Sequence, residues 1–165
     1  MSLKYRLLAS LTVAAVFAAG SAFATDKPVD FVTKAAQGDM FEVKLAQLAL
    51  KKSKNRDVRA FATRMINDHS KSEKELKVVA GKSRIRLPTK LDKEHTDKLN
   101  DFSKKRDSFD RDYIVFMADD HRDDVATFDD FAKNGDEPKL KEFAGKTLPV
   151  LVKHKDMVDG IKAKM

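Results

Sequence analysis

The sequence predicts an all-α fold, an antiparallel bundle of four long helices, and three observations predict it. Gly and Pro are scarce, 6 and 4 residues in 165, so few positions break a helix. No stretch alternates β-branched and polar residues in the manner of a strand. Four segments instead carry apolar residues at 3–4–3–4 spacing, the stripe by which a helix buries one face.

Residues 1–24 read as a cleavable signal peptide. Lys4 and Arg6 give a positive start, and residues 7–19 are apolar but fall short of the about 20 residues that a spanning helix needs. Ala22-Phe23-Ala24 fits the small-x-small rule for cleavage after Ala24. An uncleaved anchor is the rival reading. The chain has no Cys, which argues against a lipoprotein anchor and removes thiolate chemistry and Cys-based metal motifs. Residues 25–165 are expected to form one domain, held by its core because no disulfide is available.

The first helix is expected over residues 30–52, with the seam Phe31, Ala35, Gly38, Glu42, Leu45 and Ala49. The second starts near Asn55, a good N-cap, and runs to about residue 80, with the seam Val58, Ala62, Met65, His69, Ser72, Leu76 and Val79. A connector of about 25 residues, 83–107, follows, opened by Leu87-Pro88-Thr89 and holding a short helix near 93–103. The third long helix covers 108–133, seam Ile114, Met117, His121, Asp124, Phe128 and Phe131, with Asn134-Gly135 as its C-cap. The fourth starts near Glu137-Pro138, with Pro at an early helical position, and reaches about residue 162. Its seam is Leu140, Ala144, Thr147, Leu151, His154, Val158 and Ile161.

The first and last links are only a few residues long, so each flanking pair should form an antiparallel hairpin. A long link between two hairpins is the ferritin-like arrangement, in which the connector carries the chain back along a bundle about 40 Å long. An up-down bundle with a folded end connector is the alternative.

Charge excludes one class of function. Without Lys4 and Arg6 the formal net charge falls from +7 to +5, and acidic and basic residues alternate as on solvated helix faces. No basic stripe with stacking aromatics marks a nucleic-acid surface. The P-loop, GxGxxG, HExxH and GxSxG motifs are also absent.

Each seam carries one anomaly. Glu42, His69, His121 and His154 interrupt mostly apolar stripes near the middle of each helix, so all four should meet at one level of the bundle. Ionisable groups converging in a helical core is how bundle metalloproteins are built. Imidazole suits Zn, Cu and Fe, and a carboxylate supplies compensating charge. The bland reading is a core network of Glu42 with three His, satisfied by hydrogen bonds and water. The fourth histidine, His95, falls in the connector and is expected to be solvated. Asp68 and Asp120 adjoin His69 and His121, but neighbours on a helix point about 100° apart, so each Asp is read as surface or supporting. Glu73 and Asp124, one turn beyond His69 and His121, could add carboxylates.

The Glu-x-x-His pairs of di-iron carboxylate proteins are missing: Ile66, Ala118 and Leu151 stand three residues before the seam histidines. Met65, Met117 and Met157 would share a layer beside the histidines, which favours copper if they ligate and is plain gap-filling if they do not. Tyr113 is expected half-buried with its hydroxyl near the surface.

Phe31-Val-x-Lys-Ala-Ala-x-Gly38, Arg64-Met65-x-x-Asp68-His69, Leu87-Pro88, Asp120-His121 and Thr147-Leu148-Pro149-x-Leu151-x-x-His154 together resemble the bacterial domain-of-unknown-function 4142 family. The resemblance runs from about Asp30 to Ile161. It implies a ferritin-like helical fold, a signal peptide and an envelope location, and supplies no reaction. Members are often labelled predicted outer membrane proteins, a label at odds with a chain of helices rather than alternating strands. The expectation is a periplasmic protein with no membrane span after processing, binding a transition metal through Glu42, His69, His121 and His154. The alternative is a non-enzymatic envelope or stress-related module in which those residues only pack. An oxidase or peroxidase-like role is third, weakened by the missing Glu-x-x-His pairs.

Overall fold

The computed structural model describes residues 25–165; the expected signal peptide, residues 1–24, lies outside the described residues. The fold is all-helical, with no strand among the described residues. Five helices follow in order: α1 (Pro28–Lys52), α2 (Arg56–Lys82), α3 (Lys93–Lys104), α4 (Phe109–Asn134) and α5 (Pro138–Lys162). Bounds agree with the periodicity to within two residues, since the seams end where caps begin.

Local chemistry sets those ends. The Asn55 side chain accepts from the backbone N–H groups of Asp57 and Val58, at 2.9 and 3.3 Å, and starts α2. Glu137 accepts from Leu140 N–H at 2.7 Å and, with Pro138, starts α5. At the end of α2, Ile85 N–H reaches the Ala80 carbonyl and Arg84 N–H the Gly81 carbonyl. This is a Schellman closure in which Arg84 rather than glycine takes the left-handed conformation, φ 58°. Gly135 does follow α4, but with φ −58°. Glycine is needed there for space: a Cβ would lie 2.7 Å from the Phe131 carbonyl oxygen and 2.8 Å from its ring.

The helices pack as a bundle. α1 lies along α2 and α4 along α5, each pair joined by three residues (53–55 and 135–137). The pairs meet mainly through α2 and α5, with a lighter contact between α1 and α4, and α3 rests on α1. Gln37, buried on α1, holds the connector by donating to the Lys90 carbonyl at 3.1 Å and accepting from Asp92 N–H at 3.0 Å.

The interior is two apolar clusters with a polar layer between them. One cluster includes Phe41, Leu45, Val58, Phe61, Met65, Phe109, Ile114, Met117 and Val158, and α3 closes it with Phe102. The other includes Phe31, Val32, Leu76, Phe128, Phe131, Leu140, Phe143 and Leu151, with the Phe31 and Phe131 rings stacked at 3.9 Å. Two expectations are corrected here. Tyr113 is fully buried rather than half-buried, because Phe102 and Phe109 cover that end, and its hydroxyl has no hydrogen-bond partner among the described residues. Met157 does not share a layer with Met65 and Met117; they are buried, while it is 38% exposed. Val158 takes the inward position one turn past His154, which turns Met157 outward.

Candidate metal centre

The polar layer is where the four seam anomalies meet. Glu42 from α1, His69 from α2, His121 from α4 and His154 from α5 are all between 0 and 4% exposed. Apolar side chains above and below fix the level of the helices, and the 3.6-residue repeat does the rest.

Each histidine has one ring nitrogen anchored and the other turned to a neighbour in the layer. His69 Nδ1–H donates to Asp39 at 2.9 Å. His121 Nδ1–H donates to the Met117 carbonyl at 3.0 Å, a backbone acceptor one turn earlier on its own helix. His154 Nε2–H donates to Asp68 at 2.8 Å, and Arg64 pairs with the same Asp68 oxygen from one turn back on α2. For each neutral ring these acceptors favour one tautomer. They leave lone pairs on His69 Nε2 once that ring has given up the extra proton it holds beside Glu42, and on His121 Nε2 and His154 Nδ1. The last two face each other at 3.3 Å. One nitrogen from each of the three histidines lies within 4.8 Å of the others, close enough to share one cation.

Glu42 is the least satisfied group in the layer. Its Oε2 comes to 2.5 Å from His69 Nε2 and its Oε1 to 3.6 Å from His121 Nδ1. Neither oxygen has an aligned hydrogen-bond partner, nor does His69 Nε2 or the second oxygen of Asp39. A carboxylate 1% exposed with neither oxygen in an aligned hydrogen bond is costly unless a positive charge faces it, and in the metal-free protein the protonated His69 supplies that charge.

The layer also places Asp120 and Asp124 against Glu42, one oxygen from each of the three lying within 4.8 Å of the others. Of the two carboxylates expected as additions, Asp124 therefore joins the site and Glu73 belongs to neither group. The sequence pattern does not single out Asp39, gives Asp120 a surface or supporting place, and does not pair Asp68 with His154 across 86 residues. Asp39 carried a signal, since it lies three residues before Glu42 on the same face.

Burial and neighbouring charge divide the titrations sharply. Burial pushes the Glu42 carboxyl up, but the charges of His69 and His121 more than offset it and hold it at about 2. Burial pushes His69 down, yet Glu42 and Asp39 raise it well above an ordinary imidazole. Burial lowers His121, and lowers His154 to about 4, so both stand neutral at pH 7 in the form a metal requires. Burial, then the charge of Glu42, raises Asp120 to about 9 and Asp124 to about 8.

A cavity of about 600 Å³ reaches the layer. Asp39, Asp68, His69, Asp120, Asp124 and His154 line its polar part, Phe31, Phe128 and Leu151 an apolar part, and Lys34, Arg64, Lys71 and Lys146 also line it. His95 is half-exposed on α3, its ring 5.1 Å from Phe41 and its Nδ1 bonded to Asp92, at the cavity wall and outside the histidine group. Among the described residues no helix is long and apolar enough to cross a membrane.

Comparison with known proteins agrees with this architecture. The crystal structure of a DUF305 fragment from Deinococcus radiodurans superimposes with a TM-score of 0.70, covering 86% of this chain and 100% of the fragment at 16% identity. At that identity the likeness speaks for the fold. No curated protein matches the sequence. The model of the family described as "Domain of unknown function (DUF4142)" matches residues 14–161, and the chain belongs to that family.

Proposed function

We propose that this is an exported transition-metal-binding protein of the cell envelope, with Glu42, His69, His121 and His154 as ligands of Zn, Cu or Fe. One observation carries the reading: three buried imidazoles, each anchored by an outer acceptor, present nitrogens to one another beside a buried carboxylate whose oxygens have no aligned partner. Anchored histidines of this kind are the usual support of metal ligands, because the outer bond fixes both tautomer and ring orientation. The donor set of three nitrogens and one carboxylate oxygen suits Zn, Cu or Fe. The cavity gives an ion a way in.

The bundle itself we read as the antiparallel ferritin-like arrangement. The make-up of the two apolar clusters supports it. One gathers the C-terminal halves of α1 and α5 with the N-terminal halves of α2 and α4; the other gathers the opposite halves. Such sorting is what results when α2 and α4 run opposite to α1 and α5. The connector tied to α1 through Gln37 fits a link that returns the chain along the bundle.

A module without metal is the second reading, favoured by the bonds that His69, His121 and His154 already make. Metal analysis separates the two. Protein refolded in chelator, exposed to Zn(II) and passed through gel filtration is expected to retain metal in at least equimolar amount. Retention no higher than in a His69/His121/His154 triple-alanine variant would leave the module reading.

Export rests on residues 1–24, with Lys4, Arg6 and Ala22-x-Ala24 as the processing signals. The exported protein is expected to begin at Thr25. An intact mass showing Met1 kept on a membrane-bound form would overturn this.

A further inference from the structure

The carboxylate side of the layer asks for an ion of its own. Glu42, Asp120 and Asp124 bring one oxygen each within 4.8 Å. Acidic residues often crowd on surfaces without consequence, but Glu42 is 1% exposed and neither of its oxygens has an aligned hydrogen-bond partner. Asp120 and Asp124 are half-buried and line the cavity, so an ion in the cavity can reach both. Glu42 also belongs to the nitrogen side, with Oε2 2.5 Å from His69 Nε2. One carboxylate therefore stands between a three-nitrogen group and a two-carboxylate group.

We propose that the centre is dinuclear: a second divalent cation binds on the Glu42, Asp120 and Asp124 oxygens, and Glu42 bridges it to the ion on the histidines. The proposal rests on the reading of the histidine group as a metal site and goes beyond it. The two halves differ in donor chemistry. Imidazoles select Zn, Cu and Fe, whereas an all-oxygen set suits a harder cation such as Mn(II). Asp120 and Asp124 lie four apart on α4, one turn, so both can face the same ion without strain in the helix.

The two halves can be tested separately with two probes. The full mature chain is stripped with chelator, loaded with one equivalent of Zn(II), and titrated with Mn(II), the free ion being counted by its electron paramagnetic resonance signal. The wild type is expected to bind one Mn(II) beyond its Zn(II). Asp120→Asn/Asp124→Asn, which keeps the shape of both side chains, is expected to keep its Zn(II) and to bind Mn(II) at least tenfold more weakly. Far-ultraviolet circular dichroism verifies that the variant is folded; if it is not, Asp124→Asn alone serves, with the same tenfold weakening expected. Zn(II) retained with no Mn(II) bound, or Mn(II) bound equally well by the variant, would overturn the second site and leave the histidine site standing. No Zn(II) retained by the wild type would overturn both.

Discussion

Between pH 6.5 and 9 the metal-free protein is expected to lose stability as the pH rises. The sign follows from which state holds more protons. Above pH 6.5 the unfolded chain has neutral histidines and ionised carboxylates. The folded chain still holds a proton on His69, raised by Glu42 and Asp39 against the effect of burial. It also holds protons on Asp120 and Asp124, raised to about 9 and about 8 by burial and by Glu42. With more protons bound in the folded state, the free energy of unfolding falls by about 1.4 kcal/mol per pH unit for each retained proton. One such proton costs about 2 kcal/mol over 1.5 units, and two cost about twice that. His121 and His154 add nothing in this window, being neutral in both states; their depressed values lose stability only as pH falls below 6.5.

A bound cation takes the place of the retained protons, so metal should flatten this pH dependence and its affinity should rise across the same window. Urea unfolding at pH 6.5, 7.5 and 8.5, in chelator and in excess Zn(II), measures both effects. A metal-free stability that is level or rising over this range would show that Asp120, Asp124 and His69 do not hold their protons in the folded state.

Much of this centre was legible because a seam is a one-dimensional signal. Glu42, His69, His121 and His154 stand out against apolar neighbours at helical spacing, and mid-helix positions on four helices of similar length fall at one level. The helices themselves were legible from the same repeat and from local caps such as Asn55. What escaped depends on rotation and on long-range packing. Asp120 adjoins His121, and the 100° offset that suggests a surface or supporting place is what turns it toward Glu42. Asp39 lies beside Gly38, which had been given the seam position, and a slightly different rotation of α1 brings it to His69. No periodicity shows that Asp68 on α2 supports His154 on α5, because that contact exists only once the two helical pairs have docked. The same holds for Tyr113: its burial comes from α3, a connector helix whose docking on α1 leaves little trace in the pattern of α4.

The metal-dependent part of stability should vanish when any one seam histidine is removed. A ligand that binds only the folded state stabilises it by mass action, by about 2.7 kcal/mol at a hundredfold excess over the dissociation constant. His69→Ala, His121→Ala and His154→Ala each remove one of the nitrogens that converge within 4.8 Å, and His69→Ala and His154→Ala also take a donor from Asp39 and Asp68. The metal-free variants will therefore be weakened themselves, His69→Ala most, since it strands Glu42 and Asp39 at full burial; losing one partner of a buried ion pair costs about 3–5 kcal/mol. The decisive quantity is the difference between melting with and without Zn(II), taken within each variant, which cancels that weakening. His95→Ala should keep the wild-type difference, because His95 stands at the cavity wall, bonded to Asp92, and contributes no nitrogen to the histidine group. Calorimetric melting of the four variants and the wild type gives the comparison directly. A Zn(II) response of the same size in the wild type and in all three seam variants would mean that the ion binds elsewhere, and that the buried histidines serve packing alone.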